Sequence, residues 1–146
     1  MAMNWVEEEY RREQSLQAHA DGLVEALFLA IKESVDSFNR LYRQGKPPVD
    51  QHPNKHHLVL TLALPVPPTL GLQRSKTAKA TISYDAESYK VHTKFEQSNA
   101  QPVVLELDAN DSGEVFLHGM EGKSRIETGA ASRLILKTFL WDLRHV

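Results

Sequence analysis

Residues 76–97, KTAKATISYDAESYKVHTKFEQ, decide the fold. Apolar and polar side chains alternate on both sides of DAES (85–88), the period-two signature of a β-hairpin with one buried face. Pairing Tyr84 with Tyr89 puts Ala78, Ala80, Ile82, Tyr84, Tyr89, Val91, Thr93 and Phe95 on one face, and a slip of one residue would scatter them. The same register sets Lys79 opposite Lys94 and Ser83 opposite Lys90 on the polar face. Like charges directly opposed are mildly destabilising. That cost suits an anion-binding surface, but lysines also keep an exposed sheet soluble. The aromatics lie on the other face and give the lysines no stacking platform, so nucleic acid is a disfavoured partner.

Upstream, HLVLTLALP (57–65) reads as a strand with Leu58, Leu60, Leu62 and Leu64 on one face. Val59, Thr61 and Ala63 make its other face mostly apolar too, which predicts cover on both sides. PVPPTLG (65–71) follows as a loop, because three prolines cannot serve a ladder. Downstream, PVVLELDANDSGEVFLHGM (102–120) is a second hairpin. Its NDSG suits a type I turn closed by a left-handed Gly113, pairing Asn110 with Glu114. Val103, Leu105, Leu107, Val115 and Leu117 then share the inner face.

Helical spacing takes over at both ends of the chain. Asn4 with Glu7 is a capping-box signature, with Glu7, Glu8 and Glu9 in the first turn. From there Leu16, Ala20, Leu23, Leu27, Ile31, Val35, Phe38 and Leu41 or Tyr42 recur at helical intervals. Gly45 and Pro47-Pro48 end the helix, predicted over 5–43. Gly22 is its weak point, and the stripe keeps its phase across it. Such a helix is ~58 Å long, against a radius of gyration of ~15 Å for a compact chain of this size. Residues 1–14 therefore read as a helical extension that protrudes, frays or packs on another subunit, with Trp5, Val6 and Tyr10 standing among charges. A final helix over 129–144, capped by Thr128, carries Ile135, Leu136, Phe139, Leu140 and Leu143 on one face. Leu134 and Trp141 lie on another, so it needs cover twice.

These segments predict an α+β fold: a long N-terminal helix, a five-stranded antiparallel meander and a C-terminal helix, both helices packed on one face of the sheet. The 146 residues read as a single domain. With 41% hydrophobic and 25% charged residues and a net charge of −2, the composition is that of a soluble globular protein with no global field favouring polyanions. There is no cysteine, which excludes disulfides and thiolate sites and fits a cytoplasmic setting. The charged N-terminus lacks a secretory core, and no apolar run reaches bilayer length, so no membrane partner is expected. Glycine-rich phosphate loops, serine elbows, His-Glu-x-x-His and clustered aspartate loops are all missing from the sequence, and no cofactor is implied.

Two histidine groupings remain as candidate sites. DQHPNKHH (50–57) places His52 and His56 four apart, a spacing that suits metal on a helix. The segment is proline-rich, however, and only Asp50 offers a third ligand nearby, so a polar connector is the expectation. The second grouping follows from strand register. Pairing Phe95 with Val103 sets His92 opposite Glu106, which His118 flanks from the other side. Thr81, His92, Glu106 and His118 would then form one row across four strands, with Lys79 and Lys94 alongside. Two histidines about a carboxylate suit a metal triad or an acid-oriented base; simple surface complementarity produces the same row. The surplus apolar surface on the terminal helices predicts a non-catalytic association module acting as a homo-oligomer through those helices. A metal- or acid/base-dependent enzyme using His92, Glu106 and His118 is the second expectation. The third is a small-ligand pocket between sheet and helices.

Overall fold

The computed structural model describes residues 4–65, 76–122 and 124–146. The first helix, α1, runs unbroken over Trp5–Tyr42, and Asn4 caps it by accepting the Glu7 amide at 2.9 Å. Its buried stripe is Leu16, Ala20, Val24, Leu27, Ile31, Val35 and Phe38. The predicted stripe holds from Leu16 to Phe38, except that Val24 takes the fully buried place expected of Leu23, which is only partly buried; its expected last member, Leu41 or Tyr42, is exposed in either case. A Cβ at Gly22 would meet nothing within 4 Å. Gly22→Ala should therefore raise stability by about 0.5–1 kcal/mol, chiefly by restricting the unfolded chain; urea unfolding measures it, and a loss would contradict an uncrowded helical Gly22.

Seven antiparallel strands follow in sequence order as a meander: β1 (Asp50–Asn54), β2 (His57–Leu64), β3 (Lys76–Asp85), β4 (Lys90–Glu96), β5 (Val104–Ala109), β6 (Val115–Gly119) and β7 (Arg125–Ile126). Helix α2 covers Thr128–Asp142. The fold class is α+β with an antiparallel sheet, but seven strands replace the expected five. The two added strands are β1 and β7. Segment 50–57 is no connector: Asp50–Asn54 pairs with β2, and Pro53 is tolerated because β1 is the sheet's edge. Strand β7 is two residues pairing Leu117 with Ile126 and His118 with Arg125. The loop expected at 65–71 lies, beyond Pro65, outside the described residues.

Buried positions alternate along the strands as the apolar pattern requires: Leu58, Leu60, Leu62, Ala78, Ala80, Ile82, Tyr84, Val91, Leu105, Leu107 and Leu117 join the α1 stripe and Ala131, Ile135, Leu136, Phe139, Leu140 and Leu143 in one core. The second face of β2 is not covered as expected; Ala63 is exposed and Val59 and Thr61 are half-buried. Helix α2 is capped at Glu127 by its backbone alone, so Thr128 is not the cap. Among the described residues no helix is long and apolar enough to cross a membrane.

The second hairpin has the predicted register. Leu107 pairs with Leu117, the Asn110 amide bonds the Glu114 carbonyl at 3.0 Å, and Gly113 sits at φ +81. Register in the first hairpin is shifted by two residues from that expected. Tyr84 pairs with Val91 rather than Tyr89, and Asp85 with Lys90. The turn is thus four residues, 86–89, with Tyr89 left-handed at φ 54. Pairing of β4 with β5 is shifted likewise, Thr93 bonding Val103 in place of Phe95.

Candidate functional site

The shift breaks the expected row. Thr81 lies opposite Lys94, and His92 opposite Ser83 and Val104, so neither stands in line with Glu106. Glu106 has Lys90 on one side and His118 on the other. Lys79 faces Glu96, not Lys94, with an ion pair at 3.8 Å. The physical reason is visible in the charges: the expected register opposed lysine to lysine, whereas the observed one aligns Asp85, Lys90, Glu106, His118 and Arg125 in sequence across five strands. In the first segment His52 contacts Thr61 at 3.1 Å, His56 packs edge-on against Tyr84, and His57 approaches Ser83. Among the described residues no three His, Cys, Asp or Glu side chains gather closely enough to hold a metal ion.

Only Glu106 and His118 of the row are brought together, and His118 is not on a wet face. It is 4% exposed. Its Nδ1 lies 2.7 Å from the Gly119 carbonyl and 3.1 Å from that of Gly122; both can only accept, so Nδ1 carries the hydrogen. Nε2 points toward Asp108 Oδ2 at 3.9 Å, too far for a hydrogen bond, and has no other partner among the described residues. Asp108 is held from the far side by α1, because Arg12 Nε donates to Oδ1. The Ala109 amide donates to the same oxygen at 2.8 Å. Burial alone would raise the Asp108 carboxyl, but the Arg12 and Ala109 hydrogen bonds, with the charges of Arg12 and His118, outweigh it and hold the group below the usual carboxylate range. Burial likewise opposes the Arg12 charge, and Asp108, Glu9 and Glu106 more than offset it. With Nε2 closed to solvent, this chain suits a clamp between α1 and the β5–β6 hairpin better than proton transfer to a substrate, which a base must be able to reach. Arg12 and Asp108 carried no sequence signal as a pair, being 96 positions apart.

A second feature lies between the helices. The C-terminal half of α1 and the outer side of α2 frame a groove of about 630 Å³, lined by Ser34, Phe38, Leu41, Tyr42, Leu140 and Trp141 with Arg133 and Lys137 at its side. Ser34 Oγ and Ser132 Oγ, 2.9 Å apart, tie its floor. Tyr42 stacks on Phe38 and meets Trp141 edge-on, each at 5.4 Å between centroids. The helix ends are fastened by Arg43. This side chain is 5% exposed, yet donates to the carbonyls of Pro47 at 2.9 Å and Val146 at 2.6 Å, with Leu143 at 3.4 Å. The groove itself is open: Leu41 is 64% exposed and Trp141 43%. The second cover predicted for Leu134 and Trp141 is incomplete among the described residues: Tyr42 and Arg144 touch the Trp141 ring, which stays partly exposed, and Leu134 is exposed. At the other end of α1, Val6 continues the phase of the core stripe with Trp5 and Tyr10 flanking it, and all three are exposed. No family model, curated protein or solved structure matches this chain.

Proposed function

We propose that the protein is a non-catalytic association module that works as a homo-oligomer through its two helices. The observation that carries this reading is the open apolar groove between α1 and α2, with Leu41, Tyr42 and Trp141 left in water. Scattered exposed apolar residues are ordinary, but a contiguous patch with two aromatics marks an interaction surface. In this reading residues 1–146 act as one domain, both helices lie on the sheet's apolar face, and the first turns of α1 are an extension available to a partner. Arg133 and Lys137 at the rim supply orientation rather than affinity.

Sedimentation equilibrium tests the proposal. The apparent mass should rise with concentration and approach a multiple of the chain mass near roughly 100 µM, as expected for a dissociation constant on the order of 10 µM. Leu41→Glu together with Trp141→Ala should return the chain to a monomer with unchanged circular dichroism. A wild-type chain that stays monomeric throughout that range overturns the reading.

A further inference from the structure

We infer that the groove's occupant is the N-terminal arm of α1 from a second copy of this chain, an inference that rests on the association proposed above. The arm offers what the groove lacks. Trp5, Val6 and Tyr10 share one side of the helix with Glu9 and Glu13, all bordering a hollow that runs to Leu16 and Tyr89. Val6 and Tyr10 are one turn apart, the spacing of anchors on a helix that lies in a groove. Glu9 and Glu13 are also one turn apart, as are Arg133 and Lys137 on α2, so two carboxylates match two cations at equal spacing, with Glu9 exchanging its exposed pair with Arg12, 3.7 Å away, for a cation of the groove. Among the described residues, Arg133 and Lys137 are the only charged ones lining the groove, and neither forms an ion pair. The arm's first turns, WVEEEY, carry three acids and no base.

The arm cannot fill its own groove. Trp5 and Leu41 lie at opposite ends of one unbroken helix, and thirty-six residues separate them by ~54 Å. The Arg12–Asp108 contact fastens the arm's base to the β5–β6 hairpin, so the arm projects in a set direction. Arm and groove are different surfaces, so each copy both gives an arm and receives one: two copies can exchange arms about a two-fold axis, or copies can add head-to-tail into a ring or filament.

Charge exchange tests the pairing. Glu9→Lys/Glu13→Lys and Arg133→Glu/Lys137→Glu should each weaken self-association at least ~tenfold by sedimentation, and the two variants mixed should bind each other, because the arm of one again opposes the groove of the other. Circular dichroism verifies that each variant is folded. Trp5→Ala/Tyr10→Ala, which alters only exposed side chains, should weaken association without touching the charges. If the wild-type chain associates but the Trp5/Tyr10 variant associates equally well, or the charge-exchanged pair fails to bind, the arm is not the occupant and the association proposal survives. If the wild-type chain never associates, both fall.

Discussion

Arg43→Ala should lower the free energy of unfolding by about 3 kcal/mol, the largest loss expected of any single polar substitution in this chain. Arg43 closes α1, and its guanidinium is buried against backbone carbonyls from the following loop and the end of α2. Hydrogen bonds to a charged group contribute roughly 1.5–3 kcal/mol each, and carbonyls left buried without a donor add their own desolvation cost. Truncation removes the donors for Pro47 and Val146 together, and the helix ends lose their common anchor. Lysine is no substitute, because one ammonium on a flexible stem cannot reproduce the planar fork that reaches the two carbonyls in different directions. Arg43→Lys should accordingly recover less than half of the loss. Urea unfolding distinguishes the cases: the midpoint should fall with the slope unchanged. A loss below about 1 kcal/mol for alanine would show that water replaces the guanidinium without penalty.

Arg43 also marks the boundary of what the sequence conveys. A basic residue after the last apolar position of a helix, ahead of Gly45 and Pro47-Pro48, is a recognisable end signal, but its partners at Leu143 and Val146 are a hundred positions away and leave no local trace. The same division runs through the sheet. Period-two alternation identified the buried faces at Ile82, Val91, Leu105 and Leu117, and NDSG identified the turn at Gly113 together with the Glu106–His118 pairing. Alternation cannot identify register to better than two residues, since a slip of two returns every side chain to its own face. The turn before Lys90 holds the left-handed position with Tyr89, where glycine or asparagine would have announced it. The polar face did contain the missing information. Lys79 opposite Lys94 was an unfavourable pairing, and moving by two converts it to Lys79 opposite Glu96 while setting Lys90 between Asp85 and Glu106. Edge strand β1 escaped detection because Pro53 and its polar neighbours look like a loop, and only an edge position makes such a strand acceptable. The burial of His118 depends on the carbonyls of Gly119 and Gly122 and on Asp108 reaching to α1, none of which alternation encodes.

Asp108 supplies the second large effect, and it is a function of pH. Its carboxyl lies below the ordinary value near 3.8 in the folded chain. A carboxylate depressed on folding contributes stability that is fully present above the unfolded value and is lost as pH falls through the folded one. Neutral solution therefore retains the whole contribution, and the loss sets in below about pH 5 and completes in strong acid. Asp108→Ala should cost about 2 kcal/mol at pH 7, because the half-buried Arg12 charge loses its buried acceptor. The difference from wild type should shrink as both are acidified, since the wild-type carboxyl is then protonated as well. Asp108→Asn separates shape from charge. Its amide oxygen can still accept from Arg12, and its nitrogen can donate toward the unpartnered His118 Nε2, so it should lose less than alanine at pH 7 and show a flatter acid limb. Unfolding measured between pH 3 and pH 7 reads all three chains. An acid limb of equal slope in wild type and Asp108→Asn would mean that another carboxylate governs acid stability, and that the link from Arg12 through Asp108 to the β5–β6 hairpin does not hold the base of α1 in place.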